Sequence, residues 1–448
     1  MMVKENDGKA LKRKSRFYSG LGIGCVLVAL LFLLSLLSIL PTKQLNYHDD
    51  FIHSSRSNFG LHGSARAKAR NSMEAQIESV LQGESSLIEV SINYNALSKE
   101  ANHKNQTYGI VYGTFCPINW ELQKKNPSLV AMYRELIDQS NCNVNQFALG
   151  FREISRRARS YDNSALNKES GAAKVKQLAF GGVAFHESRC GSTLVANLLS
   201  ASSPEGHRVY SESHPPITVL KACSGSNDCS RAKQAELMRD VIYMMSRSAN
   251  EAETHVFFKI QSIGSYSIPV FENIFPNVPW IFVYRDPVEV LSSHLKRNDD
   301  TRMAACLRGL RHPAKQLQEL VPRHGREVST LTNVEFCAAH LASLCEAALL
   351  GLERASSKGL AVNYASLPGV MWETVLPQHF DIPLMEDAAV ERMQALSGVY
   401  SKGFRGRQNK EWIHDSKEKQ ERSSSSMREA ADLFMQPYYN QLEAYNSK

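Results

Sequence analysis

Three patterns of apolar and polar residues divide this chain of 448 residues. Leu21 to Leu40 form one almost unbroken apolar run, and residues 41–105 are polar, rich in Ser, Asn and His, with weak periodicity. From Leu178 to Leu367, short apolar runs rich in β-formers alternate with segments of helical periodicity. That alternation is typical of a parallel sheet with helices on both faces. The chain therefore reads as an N-terminal apolar segment, a polar connection and an α/β domain.

The first apolar run has the length of a membrane span. Twenty residues at 1.5 Å each reach about 30 Å, the thickness of one hydrocarbon core. Lysines and arginines precede the run, which places that side in the cytoplasm. A cleaved signal peptide is the rival reading, but its apolar region would be shorter and would end in a small-x-small pattern. We expect a single-pass type II anchor in a Golgi or endoplasmic reticulum membrane, with the C-terminal part lumenal.

These patterns predict a series of segments along the chain. In order they are a basic cytoplasmic tail, a transmembrane signal anchor, a stem, an accessory pre-domain without a readable motif, and a large C-terminal domain: 1–18, 19–40, 41–105, 106–175 and 176–448.

The stretch Phe180 to Leu199 predicts a buried strand, a small-residue turn and an apolar helix. The turn reads Arg189-Cys190-Gly191-Ser192-Thr193 and opens the helix, so free backbone N–H groups and the positive helix end make it an anion site. A nucleotide-hydrolysing P-loop needs GxxxxGK[ST], yet Ser192 stands at the lysine position and His186 at the first glycine position. The turn suits a 5′-phosphate and lacks the lysine that grips a β/γ-phosphate.

A second motif lies about a hundred residues further on, in Pro279 to Asn298. Trp280 to Tyr284 is a continuous apolar run, as in a strand buried on both faces, and Arg285 follows at its C-terminal end. Ligands bind at that end of open α/β sheets. Ser293 lies eight residues later, one to two turns into the next helix. Arg285 and Ser293 can therefore bind a second phosphate.

In this order, the two motifs resemble those of sulfotransferases. The first is similar to the family's 5′-phosphosulfate loop, usually PRSGTT or PKSGTT, and the second to its site for the 3′-phosphate. The resemblance spans roughly residues 178–415 and implies a P-loop-like three-layer α/β/α domain that uses 3′-phosphoadenosine-5′-phosphosulfate (PAPS). It also implies that the 5′-phosphosulfate is bound by Arg189, Cys190, Gly191, Ser192 and Thr193. Departures are Cys190, where Ser is usual, and His186-Glu187-Ser188, where an apolar residue and Pro are common.

The spacing of further residues is similar to that of protein-tyrosine sulfotransferases. Glu212, just beyond a short strand, corresponds to their catalytic base, with His214 as the rival because imidazole serves as base in other sulfotransferases. Lys259 ends another apolar strand 26 residues before Arg285. By this resemblance, Lys259 and Arg189 stabilise the leaving phosphate.

Towards the C-terminus, the resemblance implies two weaker contacts. Tyr364 matches the tyrosine of the family's YExL segment, whose acid is Ala365 here. It can stack on adenine, bond a phosphate or form part of the core. A basic, glycine-containing stretch could close the 3′-phosphate site or be a solvated linker, with Ser401, Lys402, Arg405 and Arg407.

A lumenal address permits disulfides and N-glycans. We expect a disulfide between Cys223 and Cys229. Further possible disulfides are Cys116 with Cys142, and Cys306 with either Cys337 or Cys345. We expect one thiol, that of Cys190, to take part in no disulfide. Asn105 begins an N-glycosylation sequon. The cysteine spacings match no zinc pattern, so we expect no metal.

The formal net charge of +7 is partly concentrated in the N-terminal tail, and no basic stripe with interleaved aromatics predicts nucleic-acid binding. We therefore expect a membrane-anchored sulfotransferase that acts on a glycan, protein or lipid acceptor. The acceptor and the oligomeric state do not follow from the sequence. Two alternatives stay open: a P-loop kinase or NTPase, and a catalytically inactive sulfotransferase-fold scaffold.

Overall fold

The computed structural model describes residues 63–98, 111–164, 175–225, 228–295, 306, 313–383, 387–398 and 415–446. Residues Ser72–Lys448 form one compact unit. The predicted anchor, the Asn105 sequon and the predicted contacts Ser401, Lys402, Arg405 and Arg407 lie outside the described residues.

Strands and helices alternate through most of the described chain. The strands are β1 Ser86–Ile92, β2 Val111–Cys116, β3 Phe147–Gly150, β4 Lys176–Gln177, β5 Ala179–His186, β6 His207–Ser211, β7 Arg247–Ser248, β8 His255–Lys259, β9 Trp280–Tyr284 and β10 Gly359–Asn363. The α-helices are α1 Gly63–Leu81, α2 Glu121–Lys125, α3 Tyr133–Gln139, α4 Cys142–Asn145, α5 Phe151–Asp162, α6 Ser192–Ser202, α7 His214–Lys221, α8 Arg231–Met245, α9 Ile268–Ile274, α10 Pro287–His294, α11 Lys315–Arg323, α12 Asn333–Leu352, α13 Asp387–Ser397, α14 Ser416–Arg422, α15 Ser425–Ala430 and α16 Gln436–Asn446. Two π-helical segments, Met371–His379 and Ala431–Met435, complete the longer elements.

The core is a five-stranded parallel sheet in the order β10-β9-β5-β8-β6. All five residues of β9 are buried, as its unbroken apolar sequence predicts. Successive side chains of a strand point to opposite faces. Accordingly Trp280 and Phe282 belong to one hydrophobic cluster, and Ile281 and Val283 to another. The predicted three-layer α/β arrangement is confirmed for the described part of the chain.

The longest helix of the core is α12, Asn333–Leu352. Its start is fixed by a capping box, in which Thr332 Oγ1 accepts the Glu335 N–H and the Glu335 carboxylate accepts the Thr332 N–H. Within the described residues, α12 alone has the length and apolar content of a membrane span, and 78% of that stretch is buried inside the fold. Its position identifies it as a core helix.

A smaller antiparallel sheet, in the order β1-β2-β3, lies N-terminal to the core strands in sequence. β2 falls within residues 106–175, the predicted pre-domain, whereas β1 falls within residues 41–105, the predicted stem. The hydrogen bonds between β1 and β2 show that folded structure begins before residue 105. The first sheet therefore combines residues from two predicted segments.

Three disulfides link six of the eight described cysteines: Cys116–Cys142, Cys223–Cys229 and Cys306–Cys337. They confirm the expected pairs Cys223–Cys229 and Cys116–Cys142. Of the two alternatives for Cys306, its partner is Cys337 and not Cys345. The expectation of a single remaining thiol is wrong, because both Cys190 and Cys345 lie outside these disulfides. Both are buried, and Cys345 belongs to the apolar helix α12.

Candidate active site

The loop between β5 and α6 has an unusual backbone. Ser188, Arg189 and Gly191 have φ values of 90°, 56° and 90°. Residues other than glycine rarely adopt positive φ, and such turns direct successive N–H groups into a concavity that binds anions. Gly191 is required for a second reason, because a Cβ there would lie 2.5 Å from the Tyr364 ring. A loop with this backbone is suited to binding an anion.

Unpaired polar atoms at this loop also indicate an anion. The first amides of α6, an eleven-residue helix, have no intrahelical acceptor, and the positive end of the helix dipole lies there. Thr193 is buried, and its Oγ1 has no hydrogen-bond partner in the described part of the chain. The same holds for the buried Nε of Arg189. Buried donors without partners are costly, so these atoms fit a ligand with several acceptor oxygens.

The loop is attached to the end of β9. The carbonyl of Val283 accepts the Glu187 N–H and the Cys190 thiol, each at 3.0 Å. The Glu187 carboxyl in turn accepts the Arg285 N–H at 3.2 Å. Cys190 thus donates a hydrogen bond from the position where sulfotransferases usually have Ser. These contacts fix the distance between the two loops in which the sequence predicts phosphate sites.

Glu187 was noted in the sequence only as part of a departure from the family pattern. Burial raises its pKa to about 8, although hydrogen bonds from the Arg285 amide and the Cys345 thiol favour the charged form. The group is therefore mainly neutral near pH 7. A neutral carboxyl below the loop leaves the positive potential of the loop undiminished.

Two of the three predicted catalytic groups, Glu212 and Lys259, are in direct contact. Lys259 is fully buried, and its Nζ donates to Oε1 of Glu212, whose side chain is 31% exposed. The Glu212 N–H donates to the Lys259 carbonyl at 2.7 Å, and Glu212 has a φ of 55°. Strained backbone of this kind persists only where the surroundings enforce it. The pair places a carboxylate at the surface of the site with a buried cation behind it.

His186 connects this pair to the loop, and the sequence noted it only as a departure from the family pattern. Its Nδ1 accepts the Ser188 N–H at 3.1 Å, so its other nitrogen carries the proton in the neutral ring. That nitrogen, Nε2, lies 3.8 Å from Oε1 of Glu212. No motif would have identified this residue, because its role depends on β5 and β6 ending at the same edge of the sheet.

His214, the alternative base, is the first residue of α7 and is exposed. It differs from Glu212, which is held by Lys259 and lies near His186. The geometry favours Glu212 over His214 as the base.

Arg285 is buried at the end of β9 and is held on several sides. Its Nε donates to Glu289 at 2.5 Å, and its Nη2 donates to Asp415 at 2.8 Å and to Ser416 at 3.2 Å. The guanidinium Cζ lies 3.9 Å from the centre of the Tyr364 ring. Tyr364 thus packs between Gly191 and Arg285 and belongs to a buried hydrophobic cluster, which favours the alternative in which it forms part of the core.

Ser293 lies on α10, one turn beyond Glu289, and its Oγ donates to the Glu289 carbonyl at 2.9 Å. Arg285 and Ser293 are therefore both attached to Glu289, one through its side chain and one through its backbone. Arg285 precedes α10 and Ser293 lies on it, so the predicted pair is brought together near the end of β9.

Lys419 is a basic residue of the site that sequence reasoning missed. It is buried, and its Nζ lies 2.8 Å from Oδ2 of Asp415. Burial lowers the pKa of Lys419, the Asp415 carboxylate opposes this, and the charges of Arg285 and Arg189 lower the pKa further. Three cations from separate segments, Arg189, Arg285 and Lys419, therefore share one region. The charged sequence around Lys419 resembles an ordinary solvated helix and gives no signal of this.

One group of side chains in the described residues could in principle hold a metal ion. Ligand atoms of His294, Cys306 and Cys337 lie within 4.8 Å of one another, and all three residues are buried. Cysteine binds zinc as a thiolate, however, and the two sulfurs are joined in a disulfide. The chain in this oxidation state does not offer that ligand set.

Comparisons with known proteins give structural similarity alone. No protein-family model matches the chain, and no curated protein matches its sequence. The structure is similar to that of the sulfotransferase STF9 from Mycobacterium avium, with 12% identity, 55% of this chain and 72% of that chain covered, and a TM-score of 0.30. It is also similar to the sulfotransferase domain of the Synechococcus PCC 7002 olefin synthase, with 12% identity, coverage of 60% and 96%, and a TM-score of 0.30. Because the sequence identities and TM-scores are this low, the functional conclusion rests on the geometry of the site.

Proposed function

We propose that the protein is a PAPS-dependent sulfotransferase that transfers the sulfuryl group to a hydroxyl of a glycan, protein or lipid acceptor. The observation that carries this proposal is the contact between Glu212 and Lys259 beside an anion-binding loop. A carboxylate can remove a hydroxyl proton, a buried lysine can stabilise a departing anion, and the loop can bind a phosphosulfate. The motif order that resembles sulfotransferases supports the same assignment.

In the proposed reaction Glu212 accepts the proton of the acceptor hydroxyl, whose oxygen attacks the sulfur of PAPS. The new O–S bond forms while the S–O bond to the 5′-phosphate breaks. The products are a sulfate ester and adenosine 3′,5′-bisphosphate, with the proton on Glu212. Once Glu212 is protonated it holds Lys259 less strongly, because the ion pair has lost one charge. The Lys259 ammonium then becomes available to the leaving phosphate oxygen, together with Arg189.

The loop favours this function over a P-loop kinase or NTPase. Ser192 occupies the position of the lysine that grips a β/γ-phosphate, whereas the cations of the site surround the ends of β5 and β9. An inactive scaffold would have no need of a strained Glu212 held by a buried lysine.

We further propose a single-pass type II anchor in a Golgi or endoplasmic reticulum membrane with the catalytic domain in the lumen, supported by the apolar run Leu21 to Leu40 and its basic flank.

The test is transfer of ³⁵S from labelled PAPS by the full chain in detergent, with tyrosine peptides, glycans and lipid headgroups as acceptors. Glu212→Gln preserves the shape of the side chain and removes the base. We expect the wild type to label at least one acceptor class and Glu212→Gln to be slower by at least about a hundredfold. Wild-type binding of adenosine 3′,5′-bisphosphate without transfer to any acceptor would instead support the inactive scaffold. Binding of ATP in preference to the bisphosphate would support the kinase alternative.

A further inference from the structure

One carboxylate joins two buried cations near the end of β9. Asp415 Oδ1 accepts a hydrogen bond from Arg285 Nη2 at 2.8 Å, and Asp415 Oδ2 lies 2.8 Å from Lys419 Nζ. The side chains of Arg285 and Lys419 are 4% and 9% exposed, whereas that of Asp415 is 40% exposed. The carboxylate is thus the most solvent-accessible member of the group.

The two cations are arranged as they would be around a phosphate. Each donates to a different oxygen of one anionic group, which is how arginine and lysine bind two oxygens of a phosphate monoester. The stacking of Arg285 on Tyr364 and its bond to Glu289 fix the plane of the guanidinium. Both contacts leave the Nη2 edge directed at Asp415.

The local charge is also better matched by a phosphate than by a carboxylate. Arg285, Lys419 and Arg189 supply three positive charges, and Glu289 offsets one of them. A phosphate monoester carries about −1.5 to −2 at pH 7. Asp415 supplies one negative charge, so it neutralises the site only in part.

We propose that the Asp415 carboxylate occupies the predicted 3′-phosphate site by bridging Arg285 and Lys419 until the 3′-phosphate displaces it, and that Lys419 is a further specificity residue of that site. This inference rests on the proposed function and adds to it a specificity residue, Lys419, and a competing internal anion. Lys419 lies on helix α14 and Asp415 immediately precedes the helix. Gln420 and Arg422 attach α14 to α10 through Asp286 and Ser292. The helix can therefore stay in place while the Asp415 side chain turns towards solvent.

The experiment compares adenosine 3′,5′-bisphosphate with adenosine 5′-monophosphate, which lacks the 3′-phosphate, by titration of the full chain in detergent. Asp415→Asn removes the competing charge, so we expect it to bind the bisphosphate about tenfold more tightly and to bind the monophosphate as the wild type does. Lys419→Met should bind the bisphosphate about tenfold more weakly, again with little change for the monophosphate. Lys419→Met also keeps the test decisive if Asp415→Asn does not fold.

Glu421→Gln is the matched control. It removes the same charge from the same helix, but its exposed side chain pairs only at 3.9 Å with Lys417, and we expect both affinities to stay at wild-type values. The inference would be overturned if Asp415→Asn increased the affinity for both nucleotides equally, or did not increase it at all. The proposed function would still stand in that case, provided that the wild type binds the bisphosphate. If the wild type bound neither nucleotide, the proposed function would fail and the inference with it.

Discussion

Lys259 and Glu212 are paired through both side chain and backbone. The buried Nζ of Lys259 donates to the Glu212 carboxylate, and the Lys259 carbonyl accepts the Glu212 N–H. Lys259 ends β8 and Glu212 directly follows β6, and these neighbouring strands pair in parallel with Ser211 opposite Lys259. The register of the sheet therefore determines where the candidate base lies, and the buried cation determines how it is held.

The pair predicts a specific pattern of stabilities. Glu212→Ala leaves the buried Lys259 ammonium without its carboxylate, so we expect the free energy of unfolding to fall by about 1–3 kcal/mol. Lys259→Met removes the buried charge and should restore most of this loss in the double variant. Chemical denaturation of the wild type, both single variants and the double variant measures the coupling. Additive effects would show that the contact contributes nothing to stability.

A second prediction concerns the phosphate loop. Gly191→Ala places a Cβ at a φ of 90° and against the Tyr364 ring, so we expect a loss of about 1–3 kcal/mol of stability and weaker nucleotide binding. Gly150→Ala is the control, because nothing lies within 4 Å of a Cβ there and its φ is −60°. Thermal melts of the two variants should differ by several degrees. Equal melting temperatures would mean that the loop adopts another conformation.

The third prediction follows from Glu187, whose pKa burial raises from the ordinary value of 4.5 to about 8. The folded chain keeps a proton that the unfolded chain has released, so the stability from this group is complete below about pH 4.5 and is lost as the pH rises through 8. The wild type should therefore lose stability relative to Glu187→Gln between pH 5 and 8, by on the order of 1 kcal/mol per pH unit.

Denaturation of both proteins across that pH range is the measurement for Glu187. Taking the difference between them removes the contribution of all other titrating groups. A constant difference would show that Glu187 is ionised in the folded protein throughout the range.

Much of this arrangement could be predicted from the sequence, because it depends on local patterns. The unbroken apolar run of β9 indicated a strand buried on both faces, and the small residues before α6 indicated the turn at its start. Cys223 and Cys229 are close enough in sequence for their disulfide to be an obvious candidate. In each case the signal lies within a few residues of the feature that it predicts.

The rest depends on contacts between distant segments. Asp415 and Lys419 meet Arg285 across about 130 residues, and their charged surroundings are typical of a solvent-exposed helix. In the sequence, Glu187 resembles an ordinary loop carboxylate, and its burial follows only from its contact with the end of β9. The proximity of His186 to Glu212 can be inferred only once the order of strands in the sheet is known. Side-chain chemistry was visible in the sequence, but burial and proximity were not.

The fourth prediction assigns His186 a positioning role. His186→Asn keeps an acceptor near the Ser188 N–H but does not reach Glu212, so we expect nucleotide affinity to change less than about threefold and kcat for transfer to fall about tenfold. His186→Ala should impair both, because it also releases the loop. Nucleotide titration and transfer rates separate the two effects. A loss of kcat in proportion to nucleotide affinity in both variants would assign His186 to the loop alone.

The most direct test of the account is calorimetric titration of the full chain with adenosine 3′,5′-bisphosphate and, separately, with ATP. We predict that the bisphosphate binds, that ATP does not compete with it, and that Arg189→Ala and Arg285→Ala each weaken binding by about tenfold or more, since each removes a charge-assisted hydrogen bond to a phosphate. Folding of both variants is checked by thermal melts without nucleotide. A well-folded wild type that binds ATP and not the bisphosphate, or that binds neither, would contradict the assignment of this site to a PAPS-dependent sulfotransferase.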